Sequence, residues 1–509
     1  MSATTGAPAT LARELPPWRR WVGLVVLSLS LLAVVMDMTV LNVALPGIAA
    51  DLRPSATQQL WIVDVYSLVL AGLLISASAL ADRWGRKRML LAGFALFGAA
   101  SALVLVAGSA EAVIAVRALL GLGGAMIMPT TLSMVRTVFT DPRERATALG
   151  VWAAIAAVGA AVGPIVGGLL LVHFPWQAAF LVNVPLMVIG LVFGAWLLPE
   201  SRHPRPGRWD LFATVASIAG MAALVWAIKD FAKHYVDDGF ANPAAWTALA
   251  VSVLALTAFT VRCLRRPDPL LDVRLFTNRG LTAGAVNALT LMFATAALLL
   301  LLAQWSQLVE GHSALRTGVY LLPMAAGAAV TSPLAPALAA RIGARAVLGG
   351  GLVLAAAGFL LLPLAPQPVE YGWIAAALVL LGAGSGSLAV ASVLIMSGSP
   401  DEKAGSAAAI EETAYDIGNV LGVAVLGSVA AVVYRDRLAL GDLPGTDAAK
   451  ESLGGALEIA AATGSAELAA RAQDAFTAAL VDAGTAGGIV MLVVAAAVTF
   501  LAPRETPNR

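Results

Sequence analysis

Residues 79–90 read ALADRWGRKRML, and residues 337–348 read ALAARIGARAVL. Ala79, Leu80, Ala81, Arg83, Gly85 and Leu90 each meet an identical residue 258 positions later, and Lys87 meets Arg345, which keeps the charge. Each stretch is a short polar break between long apolar runs. Fourteen apolar runs, from 22–45 to 482–502, are long enough to cross a bilayer, which takes about 20 helical residues. The two breaks follow the second and the tenth run, so the repeat offset is eight helices. A second echo agrees: the fifth run carries Gly159, Gly163 and Gly167 at four-residue spacing, and the thirteenth carries Gly418 and Gly422. Two six-helix bundles with two additional central helices account for both offsets. Parallel repeats about an axis normal to the membrane are a recurring transporter architecture, with substrate held between the halves.

The composition agrees with this. Of 509 residues, 59% are hydrophobic and 12% charged, against about 25% charged in ordinary soluble proteins. A water-soluble enzyme of that make-up would expose too much apolar surface. The net charge of +1 gives no basic footprint for nucleic acid, and Cys263 is the single cysteine, which excludes an internal disulfide and a Cys-built metal centre. The four histidines are scattered, and no lysine follows a glycine, so there is no phosphate-binding loop. The chain is therefore expected to be no enzyme and to need no metal or cofactor. Uphill transport would draw on an ion gradient, worth about 2.3 kcal/mol per charge per 100 mV.

Basic residues set the topology. With the N-terminus inside, 23 of the 32 Lys and Arg fall on the cytoplasmic side and 8 outside, with Arg117 in a span. This is a positive-inside pattern with both termini cytoplasmic. The expected division is 1–200 for the N-terminal six-helix bundle, 201–275 for the two additional helices and a cytoplasmic linker, and 276–509 for the C-terminal six-helix bundle. The last external loop, about 435–481, is rich in Ala, Leu and Glu and is expected to form a helical hairpin outside the membrane.

Six ionisable side chains lie well within the spans: Asp37, Asp64, Arg117, Glu411, Glu412 and Asp416. Each costs about 2.5–3.5 kcal/mol at a helix centre and must face the bundle interior or water. An ion pair of Arg117 with one aspartate is a structural alternative. That alternative is weaker for the three acids of the thirteenth span, which has no basic residue beside them. Glu412 and Asp416 share a helix face, and Tyr415 follows Glu411 by four residues. Grouped carboxylates in a poorly hydrated cavity repel one another, so a proton and a cationic ligand compete to neutralise them. Trp61 precedes Asp64 by one helical turn. An aromatic face beside a carboxylate suits a flat lipophilic cation. Trp152 and Trp305, near span ends, read as interface anchors.

At these motifs the chain resembles the major facilitator superfamily, and within it the 14-helix drug:proton antiporters. Asp37 to Pro46 resembles the first-helix signature of that group. Leu80 to Lys87 resembles the loop 2–3 motif that gates the inward and outward states, with Ser78 in place of its usual leading glycine. Arg117 to Gly121 resembles the fourth-helix motif, whose arginine is linked to proton transfer. Gly159, Gly163, Pro164, Gly167 and Gly168 resemble the antiporter motif of the fifth helix. Gln59 to Ser67 and Glu411 to Asn419 look like the quaternary-ammonium exporters of the QacA/SmvA type.

The resemblance implies an all-α polytopic protein of the bacterial inner membrane that swaps lipophilic cations for protons by alternating access. It implies proton coupling at Asp37, Asp64, Arg117 and Asp416. Cation recognition falls to Trp61, Asp64, Glu411, Glu412, Tyr415 and Asp416. Gating falls to Asp82, Arg83, Gly85, Arg86, Gly163 and Pro164. Some relatives that favour dications carry an extra acid in the tenth span. Residues 321–328 here have none, so weaker handling of dications than of monocations is expected. The expected partners are cationic small molecules, protons and the lipid bilayer, with the protein acting as a monomer. A dedicated exporter of one natural product and a non-transporting membrane sensor are the competing readings; five intramembrane acids against one base disfavour an anionic cargo, and a sensor would need a soluble signalling domain, which the sequence lacks.

Overall fold

The structure, a computed structural model, describes residues 16–202, 210–366, 369–400, 403–438, 449–450 and 452–503. Among them there is no strand, and thirteen helices are long and apolar enough to cross a membrane. We number the long helices α1 (Pro17–Leu52), α2 (Ala56–Trp84), α3 (Arg86–Leu103), α4 (Ala110–Val138), α5 (Pro142–His173), α6 (Asn183–Leu197) and α7 (Leu211–Asp238). There follow α8 (Pro243–Arg265), α9 (Arg279–Gln304), α10 (Leu322–Ile342), α11 (Ala344–Leu361), α12 (Tyr371–Ser397), α13 (Ala404–Arg437) and α14 (Ala466–Leu501). Thirteen of the fourteen apolar runs are thus helices of crossing length. The remaining one, α5, is 32 residues long and carries no Asp, Glu, Lys or Arg beyond Arg145.

Local chemistry sets where these helices begin. The Ser55 hydroxyl accepts from the Gln58 N–H while Gln58 Oε1 accepts from the Ser55 N–H, a reciprocal cap that fixes the start of α2. Asp141, Asn242 and Asn278 cap α5, α8 and α9 in the same sense. α13 has no side-chain cap of its own; Asp82, from the end of α2, sits against its first turn instead. A methyl on Gly405 would lie 2.0 Å from Asp82 Oδ2. A carboxylate is favoured at that end of a helix.

The repeat of sequence is a repeat of structure. Gly85 joins α2 to α3 with φ +117°, and Gly343 joins α10 to α11 with φ +91°. Only glycine takes such a φ without strain, and a one-residue link forces the two helices into a tight antiparallel turn. The glycine faces echo likewise. α5 packs on α1, where a Cβ at Gly163 would lie 1.9 Å from Thr39 Oγ1. α13 packs on α9, where a Cβ at Gly422 would lie 1.9 Å from the Phe293 carbonyl. Pro164 lies within α5, and its side chain is outside the described residues.

Helices α1 to α6 pack on one another, and so do α9 to α14. The two groups meet along α5 with α10 and along α13 with α2 and α4. α7 lies against α2 and α13, and α8 packs chiefly on α7 at the rim. Within the segment expected to form an external hairpin, the described part holds a helix Leu453–Thr463 that turns at Gly464 (φ +67°) into α14. Gln473 Nε2 donates to the carbonyls of Leu308 and Val309, and Tyr434 Oη donates to the Ala449 carbonyl.

Candidate functional site

Four helices enclose a cavity of about 490 Å³ at the half of the bundle that the expected topology places outside. α2 supplies Trp61 and Asp64, α1 Met38, α13 Asp416 and Asn419, and α7 Trp226 and Lys229. The cap at Ser55 sets the register that turns Trp61 and Asp64 to one face three residues apart. Trp61 is 42% exposed, which leaves its ring free to meet a cargo. The cavity brings Trp61, Asp64 and Asp416 together. Glu411, Glu412 and Tyr415 are not among its lining residues; they are buried further along α13 toward the expected cytoplasmic end.

The acids fall into two kinds. Asp37 is buried and fully engaged: Arg117 Nη1 donates to Oδ2 at 2.6 Å and Asn183 Nδ2 to Oδ1 at 2.9 Å. Arg117 is itself held by the Ile62 carbonyl at 3.1 Å and lies 4.4 Å over the Tyr66 ring. Asp64 also has a basic partner, the Lys229 ammonium. Glu411, Glu412 and Asp416 have no basic partner among the described residues. Glu411 accepts from Ser392 and, at 2.7 Å, from Tyr415. Both Glu412 carboxylate oxygens and Asp416 Oδ2 have no hydrogen-bond partner, at 1% and 9% exposure. A buried carboxylate without a partner is costly unless a proton or cation joins it.

Three of these partners were not singled out from the sequence. Asn183 is a lone amide in an apolar span, which is its only signal. Lys229 and Trp226 sit at the end of an apolar run, where a basic residue normally marks the flanking water. Trp152 and Trp305 depart from the interface-anchor expectation. Trp152 is 1% exposed and stacks on Tyr415 with ring centroids 6.5 Å apart, and Trp305 is buried with Nε1 donating to Thr477 at 3.1 Å. Both rings face protein because α5 and α9 turn these positions toward α13 and α14.

At the opposite end the halves are tied. Ser78 Oγ donates to the Gly405 carbonyl at 2.6 Å, so the serine that replaces the motif's glycine makes a bond across the two bundles. Arg136 donates to the Met396 carbonyl, to Ser399 Oγ at 2.8 Å and to the Ser399 carbonyl at 2.7 Å. Arg86 grips Asp82 through Nε at 3.0 Å and Nη2 at 2.8 Å and donates to Thr137 Oγ1 at 3.1 Å. A Cβ at Gly85 would meet Glu200 Oε1 at 2.6 Å. Arg83 lies close enough to Asp268 to feel its charge. The predicted gating residues Asp82, Gly85 and Arg86 are thus gathered at one closed end. Gly163 lies elsewhere, on the α1–α5 seam.

A cavity walled by both halves, with tied helices beyond it, is the geometry of a transporter. A family model described as Major Facilitator Superfamily matches residues 27–423. Over 97% of its length the chain is 42% identical to "Multidrug efflux pump LfrA" of Mycolicibacterium smegmatis, covering 97% of that protein. It is 37% identical to "Methyl viologen resistance protein SmvA" of Salmonella typhimurium, over 81% of this chain and 82% of the relative. Its fold is also similar to that of the human organic anion transporter MFSD10, with a TM-score of 0.61 at 17% identity over 94% of this chain and all of the other. The chain belongs to the Major Facilitator Superfamily.

Proposed function

We propose that this protein exports lipophilic cations across the bacterial inner membrane in exchange for protons, by alternating access. The observation that carries this is the cavity itself: carboxylates of both halves, Asp64 and Asp416, face one space beside an exposed tryptophan. Cation–π contact and charge pairing both favour a flat cation there. The names borne by the two relatives point the same way.

In this reading residues 1–200 and 276–509 are the two moving bundles, and 201–275 is an insert between them. The state described is outward-facing, because the cavity lies at the Trp61 end while Ser78 and Arg136 tie the other. Cargo neutralises Asp416 and Asp64 when bound, and a proton replaces it at Asp416 after release. Glu411, Glu412 and Tyr415 complete the cation's path when the ties part and α13 turns toward the cytoplasm. Asp37 with Arg117 serves proton transfer, with Asn183 orienting the carboxylate. Asp82 held by Arg86, with Arg83 and Gly85 beside it, latches the closed end.

Reconstituted protein in liposomes tests this. A pH gradient should drive ethidium movement that stops when the gradient is collapsed, and Asp416→Asn should abolish it. Dye movement that ignores the gradient, or none with any lipophilic cation tried, overturns the proposal.

A further inference from the structure

α7, one of the two helices outside the repeat, carries Trp226, Lys229 and Asp230 to the cavity wall, between α2 and α13. The Lys229 ammonium donates to Asp64 Oδ1. The two side chains keep 28% and 30% of their exposure, so the pair is reached from the cavity. An ion pair this wet contributes little to the fold. Asp230, the next residue, is occupied by Asn242 Nδ2 at 2.7 Å and faces His234 Nδ1 at 3.5 Å. Across the space, Asp416 has no basic partner. The ammonium therefore stands where a cationic cargo would stand, against Asp64 and within the same cavity as Trp61.

We infer that Lys229 is a tethered counter-cation that sets the cargo's charge specificity. It neutralises Asp64 while the cavity is empty, and a cargo cation gains Asp64 only by displacing it. Lysine suits this: its charge sits on a flexible four-carbon stem that swings aside without disturbing α7. The displaced ammonium stays in the cavity and repels the cargo. A dication feels that repulsion twice over and is held back more than a monocation, which is a second reason, beside the acid-free tenth span, to expect weaker handling of dications. This rests on the cavity being the cation's binding place.

The test is equilibrium binding of ethidium, a monocation, and methyl viologen, a dication, to purified full-length protein. Wild type is compared with Lys229→Met, which keeps the stem and removes the charge, and with Lys229→Arg, which keeps the charge. Removing one charge about 6 Å away in a partly wet site should tighten ethidium about tenfold and methyl viologen about a hundredfold. Lys229→Arg should stay within about twofold of wild type. Should the methionine variant fail to fold, Lys229→Gln makes the same comparison. Equal affinities in wild type and the neutral variants, or the same loosening for both ligands, overturn the inference while leaving the cavity's role standing. No saturable binding of either cation to wild type overturns both.

Discussion

Asp37 and Glu412 are both acids buried in the spans, yet their surroundings give them opposite behaviour on mutation. Asp37 is bonded on both oxygens, and Asp37→Asn leaves the Arg117 guanidinium buried without its counter-charge. Breaking such a pair costs about 3–5 kcal/mol. A marked drop in the melting temperature of the purified variant is expected. Glu412 has no partner to lose, so Glu412→Gln should melt within a few degrees of wild type while proton-driven export falls. A large loss of stability for Glu412→Gln would show a bonded role instead. At the start of α7, Asp210 offers a pH reading. Burial works to raise its carboxyl, but the Arg262 hydrogen bond, the Ala213 N–H and the charges of Arg266 and Arg262 outweigh it, and its pKa lies below the usual range. A carboxyl depressed in the folded state stabilises fully above its unfolded pKa of about 3.9 and less as pH falls through the folded value. Protection from hydrogen exchange at the start of α7, taken relative to the intrinsic rate at each pH, should therefore fall only below about pH 4, and Asp210→Asn should remove that dependence.

Helix pairs show which packing contacts tolerate change. The α1–α5 and α9–α13 pairs are related by the repeat, and each depends on a glycine in close approach. At Gly163 an added methyl meets the Thr39 hydroxyl, a group that turns aside by giving up its bond to the Met36 carbonyl. At Gly422 it meets the Phe293 carbonyl, which belongs to α9's own backbone and has nowhere to go. Overpacking of this kind costs about 1–3 kcal/mol. Gly422→Ala should melt lower than Gly163→Ala, and the reverse order would show that α9 yields more readily than α1. The glycine spacing in the fifth and thirteenth runs is visible in the sequence, but the partner helices come only from the packing. The relative tolerance is not visible there either, because it depends on whether a side chain or a backbone atom stands opposite.

Across the whole molecule, the cavity and the closed end are two views of one state. Ser78 and Arg136 bond to the far bundle with side chains, while the cavity at the other end holds half-exposed Asp64 and Lys229. Arg136→Ala removes three donations across that end at once. Spin labels at Arg143 and Thr277, both exposed near that end, should show a longer and broader distance distribution in the variant. An unchanged distribution would mean that Ser78 and the Asp82–Gly405 contact hold the end alone. The motif residues Asp82, Gly85 and Arg86 were legible beforehand as a cluster in the link between the second and third runs. Arg136, which makes most of the side-chain bonds to the other half, belongs to no motif that was quoted.

The apolar runs, the eight-helix repeat and the positions of the buried acids are properties of short windows. Bilayer thickness, the cost of a charge in oil and the helical period act on about twenty residues at a time, so one chain read in order determines them. Which acid meets which base is decided by helix rotation and neighbour choice. Asp37 finds Arg117 80 positions away, and Asp64 finds Lys229 165 positions away on a helix outside the repeat. No local period encodes such distances. Only the packed bundle separates the two acids with basic partners from the three that have none among the described residues.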